Sequence, residues 1–330
     1  MGITRRDFGL GTTAVLGAAM IGPAIAAPIA KGDIYLICGF PTGTAGDTIC
    51  RFFARKLQPI LGATVTVVNI MEGAHQGYEG NLATKFVVEA QPDGRTIYLT
   101  AGGILVANQN LQHNPPFDVS KALQSFGTMT RVPNTLVVRA DSPYKTLADL
   151  SAAMKVKGSD AKYGVPNGSV VRVIGALYRQ QAGLQAAEIV KRESSEVFKD
   201  LDAGTIDYAL SNNWYPVTQE KIGRVRILAM SLKERLHAAP QYPTFNEYGY
   251  PVDVDGWWAG YVPSATPRSI VNYLNAALGQ VVASEECRQF FNGIICDPWT
   301  QTPDQSQALL ERQLSAWHDY VEIANLEKEH

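Results

Sequence analysis

The sequence predicts an α/β protein with two lobes, and three observations lead to this fold class. Short β-branched segments alternate with segments whose apolar residues recur at helical spacing, which is typical of parallel sheets covered by helices. Glycine- or serine-rich turns follow several of the strands, at residues 39–47, 72–77, 100–103 and 164–169. The pattern occurs twice along 330 residues, a length sufficient for two lobes.

The first α/β unit begins with residues 33–40 (DIYLICGF), whose apolar residues predict a strand buried on both faces. Apolar residues from Ile49 to Ile60 then recur at helical spacing until Gly62. The rest of the unit is predicted as a strand at 64–70, a helix ending near residue 90, and a turn with a third strand at 91–103. This order predicts a parallel sheet.

The second α/β unit begins within residues 131–150, where a strand and a turn precede a helix capped by Ser142 or Thr146. The later elements are predicted as strand and helix at 162–183, further β–α–β elements at 186–231, an aromatic strand at 256–264, and helices at about 267–283, 284–292 and 303–325. Ligands bind at the carboxyl ends of strands in such sheets, so the turns named above are expected to line one cleft.

Residues 1–26 are predicted to be a twin-arginine export signal. Arg5 and Arg6 precede a weakly apolar, glycine-containing run, and Ala24-Ile25-Ala26 forms an A-x-A cleavage site. The run is too short to span a bilayer. We therefore expect a periplasmic protein.

Charge and cysteine content argue against several function classes. The chain carries 29 Lys and Arg against 31 Asp and Glu, with no basic block, so no nucleic-acid partner is expected. The four cysteines lack the spacing of a zinc site, and no metal is expected. In an oxidising compartment, Cys287 and Cys296 are predicted to form a disulfide.

The glycine-rich segment 39–47 (GFPTGTAGD) does not fit a nucleotide site. Asp47-Thr48 stand where a P-loop requires Lys-Ser/Thr, and residues 43–46 carry only part of a dinucleotide fingerprint. Hydrolase and metalloprotease motifs are absent from the sequence. We therefore expect no cofactor and no enzymatic activity. Helix-start N–H groups in such turns are suited to a ligand carboxylate.

Nine segments, taken in order, resemble the periplasmic substrate-binding proteins of tripartite tricarboxylate transporters, the TctC-like or Bug-type receptors. Among them are FPTGTAGDTICRFFARKL, VTVVNIMEGAHQG, QPDGRTIYLTAGGILVANQNL, LDAGTIDYAL and GWWAGYVPSATPRSIVNYLN. The resemblance covers nearly all of the chain after the predicted signal. It implies a type II-like periplasmic binding fold with a hinge of two crossover strands. It places lobe 1 at residues 27–130 and 234–330, and lobe 2 at 131–233.

The resemblance also implies a function. A monomeric receptor would trap a small carboxylate between its lobes and hand it to the membrane permease subunits of a tripartite transporter. A periplasmic sensing subunit that presents the same ligand to a signalling partner is the alternative. Members of the family hold a carboxylate through two waters, on the loop that matches 40–47 and the turn that matches 72–77. Asp47 would then orient a water rather than touch the ligand.

Several positions depart from the family pattern, and they bear on the ligand. Lys191-Arg192-Glu193 replace a common Tyr-Lys-Gly, and Ser211 replaces an acidic residue. These departures argue against a tricarboxylate and favour a di- or aromatic carboxylate. Trp257 and Trp258 must point to opposite faces of their strand, so one could form the floor of the cleft. The candidate ligand-binding residues are Phe40, Thr42, Gly43, Thr44, Asp47, His75, Gln76, Ala101, Gly102, Asn167, Ser169, Arg172, Arg192, Ser211, Asn212 and Trp258.

Overall fold

The structure is a computed structural model that describes residues 29, 32–71, 80–167, 169–252, 254 and 256–326. The predicted export signal at 1–26 lies outside these residues, as do His75 and Gln76. Of Ser169, only the main chain is described. No helix in the described ranges is both long and apolar enough to cross a membrane.

The chain forms an α/β fold with two sheets, as the sequence predicts. The strands are β1 (Ile34–Cys38), β2 (Val65–Asn69), β3 (Thr96–Ala101), β4 (Leu123–Val132), β5 (Asn134–Arg139), β6 (Lys162–Pro166), β7 (Ala187–Lys191), β8 (Tyr208–Asn212), β9 (Val225–Met230), β10 (Gly256–Pro263) and β11 (Asp297–Pro298). The helices are α1 (Ala45–Leu61), α2 (Asn81–Val88), α3 (Gly102–Leu111), α4 (Val119–Ala122), α5 (Leu147–Lys157), α6 (Ser169–Gln181), α7 (Ser194–Asp202), α8 (Trp214–Lys221), α9 (Arg268–Val282), α10 (Glu285–Asn292) and α11 (Pro303–Ile323), with short 3₁₀ turns at Gly158–Asp160 and Asn246–Tyr248.

The two sheets share one plan. The first has the order β11-β4-β10-β3-β1-β2, and the second has the order β7-β6-β8-β5-β9. In each, three strands are parallel, as predicted, and an antiparallel strand that enters from the other sheet lies beside them: β10 in the first, β5 in the second. We call the first sheet with its helices lobe 1 and the second lobe 2.

The chain passes between the lobes at Pro133 and again after β9, along a segment that includes residues 231–252 and 254. Both crossovers leave lobe 1 where the parallel strands end, because Gly256 pairs with Val132 and Trp258 pairs with Ala101. They also meet lobe 2 at the corresponding edge, since Asn134 pairs with Asn212 at the end of β8. The carboxyl ends of the parallel strands in the two lobes therefore face each other across the crossovers.

Two of the longer elements of lobe 1, β4 and α3, were not predicted from the sequence. Strand β4 contains Gly127 and several polar residues, which hide its periodicity in the sequence; the polar side chains are buried and bonded, as where Thr128 Oγ1 donates to Trp299 O at 2.6 Å. Helix α3 begins with Gly102 and Gly103, which are weak helix formers. Both elements are stabilised by tertiary packing rather than by local sequence.

Helix α11 joins the cores of the two lobes on one side of the molecule. It packs against α3 of lobe 1 and α6 of lobe 2. Its Leu310 and Trp317 are almost fully buried in a hydrophobic cluster that includes residues of both lobes. The sequence predicts this helix well, because Thr302 and Gln305 form a capping box at its start.

The predicted disulfide between Cys287 and Cys296 is wrong for this structure. Both residues are buried free thiols, as are Cys38 and Cys50. Proximity in sequence was the basis of the prediction, but Cys296 lies beyond the end of α10 and its Sγ accepts a hydrogen bond from Asn213 Nδ2 at 3.3 Å. Burial raises the pKa of both the Cys287 and the Cys296 thiols to about 12.

Candidate ligand-binding cleft

The loop between β1 and α1 is organised around the buried carboxylate of Asp47. Its Oδ2 accepts hydrogen bonds from Gly43 N and from Arg51 Nε, each at 2.9 Å, and its Oδ1 accepts one from Asn69 Nδ2 at 2.9 Å. Asn69 Nδ2 also donates to Phe40 O at 2.9 Å. A single carboxylate therefore ties the loop to its own helix and to the end of β2.

These donors define the charge state of Asp47. The Arg51 guanidinium, with smaller contributions from Gly43 N and Asn69, holds the pKa of the Asp47 carboxyl down to about 2, although burial opposes this. Asp47 is thus ionised throughout the neutral range. It contributes its charge to the loop's internal network.

The start of α1 is fixed by Thr44 and Gly43. Thr44 Oγ1 donates to Pro41 O at 2.7 Å and accepts a long hydrogen bond from Asp47 N at 3.5 Å, so Thr44 caps the helix. Gly43 has a φ of +85°, which a side chain would disfavour. Thr42 and Gly43 are exposed. The first N–H groups of α1 lie beside this exposed turn.

Aromatic side chains pack within and against the same loop. Phe40 stacks on Trp258 with ring centroids 5.1 Å apart, and its ring lies so close to Gly46 that a Cβ there would be 2.4 Å from Phe40 Cγ. Trp258 is 6 % exposed. Trp257 points to the opposite face, where its indole packs on Gly102. Both tryptophans are therefore buried, and Trp258 influences the cleft through Phe40.

Helix α3 supplies a second helix start to the cleft. Its first residue, Gly102, follows Ala101 at the end of β3, and within the described residues no side chain caps it. A Cβ on Gly103 would be 3.3 Å from a methyl group of Val170 on α6. The starts of α3 and α6 therefore meet across the lobes, and small residues permit this approach.

The facing edge of lobe 2 is formed by the ends of β6, β7 and β8. Asn167 is exposed, and its N–H donates to Lys191 O at 2.6 Å. Ser211 is buried, and its Oγ lies 2.8 Å from Ser194 Oγ at the start of α7. Asn212 is exposed. These contacts bring Asn167, Ser211 and Asn212 to one edge, as their predicted strand ends require.

The two candidate arginines of lobe 2 are in different surroundings. Arg172 forms an ion pair with Glu188 on β7, through Nε at 3.0 Å and Nη2 at 2.9 Å. Tyr163 OH also donates to Glu188, at 3.2 Å. Arg192, which follows β7 directly, is exposed, and no described residue forms an ion pair with it. The Arg192 guanidinium is therefore exposed at this edge, whereas the Arg172 guanidinium is paired.

The structure thus brings most of the predicted residues to two facing edges. Two kinds of residue were missed by the sequence analysis. Arg51 and Asn69 hold Asp47, and their pairing depends on the register of β2 against β1. Ser194 contacts Ser211, and half-exposed Trp214 begins α8 directly after the lobe 2 edge. The only available signal was position: apart from Arg51, which lies within α1, each of these residues follows or ends a strand of a parallel set.

Two lobes joined by two crossovers, with helix starts on facing edges, define a periplasmic-type solute-binding protein. The fold agrees with solved structures of this class. The structure of R. palustris Rpa4515 with adipate matches with a TM-score of 0.74 at 23 % identity, covering 89 % of this chain and 98 % of the other. The periplasmic binding protein BugD matches with a TM-score of 0.71 at 23 % identity, covering 91 % and 100 %.

The chain belongs to the tripartite tricarboxylate transporter family of receptors (TctC), whose profile matches residues 49–326. It is 31 % identical to a UPF0065 protein from the TAR-I ttuE-ttuC' intergenic region of Agrobacterium vitis, over 72 % of this chain and 67 % of that protein. It is 26 % identical to protein BugT of Bordetella pertussis, over 93 % and 95 %. The family resemblance predicted from the sequence is confirmed. The chain is a TctC-type solute-binding receptor of the periplasmic class.

Proposed function

We propose that this receptor captures a small carboxylate between its lobes and delivers it to the permease subunits of a tripartite tricarboxylate-type transporter. The observation that carries the proposal is the Asp47 network. It fixes an exposed turn, Thr42 to Thr44, beside the first N–H groups of α1, and such groups favour an anionic oxygen. Asp47 acts by shaping this turn, because three protein donors already occupy its oxygens.

A second anionic group on the ligand would suit the opposite edge. Arg192 offers an exposed guanidinium without an ion-pair partner among the described residues, and Asn167 and Asn212 offer exposed amides. We therefore infer that dicarboxylates bind better than monocarboxylates. Proteins of similar fold include Rpa4515 of R. palustris, solved with adipate, and MatC of Rhodopseudomonas palustris, solved with bound malate. An aromatic carboxylate would additionally use the exposed part of Trp214.

The proposal also covers the cellular location, the oligomeric state and the lobe movement of the protein. We propose export by the twin-arginine route with loss of residues 1–26, a monomeric receptor, ligand binding without turnover, and lobe movement about the crossovers at Pro133 and after β9. N-terminal sequencing of the periplasmic protein tests the processing site. Intact Met1 on that protein would exclude it.

A titration panel tests the ligand class. The purified protein is titrated by calorimetry with adipate, malate, benzoate and terephthalate, and with adipamide as the neutral counterpart of adipate. We expect micromolar or tighter binding of at least one dicarboxylate, equivalent to roughly −8 kcal/mol, and none of adipamide. Binding of neutral or cationic solutes alone would overturn the proposal. Melting temperatures with each ligand provide a second readout, because a ligand that binds the folded state alone raises stability.

A further inference from the structure

The lobes are also joined at a contact that does not involve α11 or α3. The turn at 294–296, between α10 and β11 of lobe 1, reaches the second hydrophobic face of lobe 2. Ile295 is buried there in a cluster with Phe198 and Leu236. Of the buried residues that the structure describes in this cluster, Ile295 alone comes from lobe 1. Its neighbours Ile294 and Cys296 pack instead into the core of lobe 1.

The main chain of this turn is held in an unfavourable conformation. Ile295 has a φ of +53°, in the left-handed region that glycine favours and that β-branched residues avoid. The turn follows the end of α10, a position where glycine is common for this reason. A conformation of this kind persists only where surrounding contacts hold it. Two main-chain hydrogen bonds within lobe 1 close the turn, from Ile295 N to Asn292 O at 3.2 Å and from Cys296 N to Phe291 O at 3.0 Å.

Further contacts come from lobe 2 and from the second crossover. Asn213 is buried, and its Nδ2 donates to Ile294 O at 2.6 Å and to Ile295 O at 2.8 Å. Next along the chain, the carboxylate of Asp297 accepts hydrogen bonds from His237 N at 2.8 Å and Ala238 N at 2.9 Å. Side chains and main chain of different lobes are thus bonded directly at this point.

Asn213 is also the residue after Asn212, at the cleft edge of lobe 2. A displacement of this edge on ligand binding would be transmitted to the turn at 294–296 through one side chain. We propose that Asn213 is a positioning residue that fixes how the two lobes meet, and thereby sets the fraction of molecules whose cleft is competent to bind. The effect of Asn213 on ligand binding rests on the proposed function, whereas its effect on the orientation of the lobes does not.

A distance measurement between the lobes tests the proposal without a ligand. Spin labels are attached at Arg55→Cys on α1 and at Val156→Cys on α5, which are exposed positions of lobe 1 and lobe 2. The four native cysteines are buried and should not be labelled. In the Asn213→Asp variant the carboxylate faces two carbonyl oxygens and cannot donate. We expect the interlobe distance distribution to shift or broaden beyond that of the parent.

Asn275→Asp is the matched control. Asn275 Nδ2 also bridges two main-chain carbonyls, Phe126 O at 2.7 Å and Gln301 O at 3.0 Å, but both belong to lobe 1. This variant should lose stability without a change in the interlobe distance. Equal distance distributions for the parent, Asn213→Asp and Asn275→Asp would overturn the proposal, as would equal changes in both variants.

Two further variants keep the test decisive if Asn213→Asp does not fold. Asn213→Ala removes the donor without adding charge, and Ile295→Gly removes the side chain from lobe 2 while relieving the left-handed main chain. Both should alter the distance distribution. For a ligand that the parent binds, such as adipate, Asn213→Ala should raise Kd at least fivefold, because Kd increases as the competent fraction falls. An unchanged distribution in both variants would disprove the role. If adipate does not bind the parent, the interlobe distances alone still test the role of Asn213.

Discussion

The two edges of the cleft differ in how far their polar groups are satisfied within the protein. In lobe 1, Asp47 is bonded to Gly43, Arg51 and Asn69, and the whole turn is fixed before any ligand arrives. In lobe 2, Arg192 and Asn212 are exposed, and no described residue forms an ion pair with Arg192. One edge is preorganised and the other is open.

We infer from this difference that the two lobes contribute differently to ligand binding. A rigid set of donors binds an unchanging chemical group at low entropic cost, which suits the carboxylate that all candidate ligands share. Exposed side chains can be changed without loss of fold, which suits the part of the ligand that varies. We therefore expect substitutions in the lobe 1 network to affect stability and affinity together. Substitutions at the lobe 2 edge should affect affinity alone.

The largest effect is expected for Asp47→Ala. It leaves three donors without their acceptor, so the free energy of unfolding should fall by about 1–3 kcal/mol. The turn proposed to bind the ligand is released at the same time, and Kd for the best carboxylate should rise about tenfold to a hundredfold, or roughly 1.4–2.8 kcal/mol. Asp47→Asn should cost less, because its amide oxygen still accepts. Urea unfolding and calorimetry measure both quantities.

Asp149→Ala is the control for this variant. Asp149 also lies in the first turn of a helix and accepts from two main-chain groups, Lys145 N and Thr146 N, but α5 begins at the opposite end of lobe 2's sheet. It should lose stability and keep its affinity. If Asp47→Ala behaved in the same way, the lobe 1 network would serve the fold only.

Acid should weaken the lobe 1 network in a defined pH range. The pKa of Asp47 falls from 3.8 to about 2 on folding, which corresponds to roughly 2 kcal/mol. A depressed carboxyl pKa contributes stability that is complete above about pH 4 and is lost as pH falls towards 2. Urea unfolding of the ligand-free protein at pH 5 and pH 3 should show a larger loss for the parent than for Asp47→Asn. Equal losses of stability would show that ionisation of Asp47 does not contribute this pH-dependent stability.

Substitutions of Arg192 and Arg172 test the role of lobe 2 in ligand binding. Arg192→Ala should raise Kd for a dicarboxylate about tenfold, or about 1.4 kcal/mol, and leave the melting temperature nearly unchanged. Arg172→Ala should do the reverse, because it breaks the ion pair with Glu188 and leaves the cleft intact. A loss of affinity in Arg172→Ala alone would mean that the wrong arginine has been assigned to the ligand.

The contrast between the edges also explains what the sequence could predict. Strands such as β1 and β8 and helices such as α1 and α11 follow from local periodicity and capping residues, and parallel pairing follows from their order. Strand β4 could not be recognised, because its polar residues are buried against partners such as Trp299, far away in sequence.

The candidate site, like the fold, could be predicted from the sequence only in part. Strand ends indicated Thr44, Asp47 and Asn167, whereas the partners of Asp47 depend on register. The assignment of Arg172 overlooked Glu188, because the pair joins a helix to a strand that the sequence separates. A turn such as 294–296 gives no signal in its own residues, since two of its carbonyl groups accept hydrogen bonds from Asn213 of the other lobe.

The smallest effect is expected at Thr44, the cap of α1. Thr44→Ala removes the acceptor for Asp47 N and the donor to Pro41 O, so stability should fall by about 0.5–1 kcal/mol. Because the same hydroxyl holds the ligand turn, Kd should rise about twofold to threefold, or roughly 0.4–0.7 kcal/mol. Thr44→Ser keeps the hydroxyl and should restore both values.

Thr302→Ala separates capping from binding. Thr302 caps α11, a different helix from the one that follows the loop after β1, through a hydrogen bond from Gln305 N at 3.2 Å. Its loss should lower the melting temperature by an amount similar to Thr44→Ala and leave Kd unchanged. If both threonine variants leave Kd unchanged, the turn keeps its shape without its cap. Preorganisation of lobe 1 would then rest on Asp47 alone.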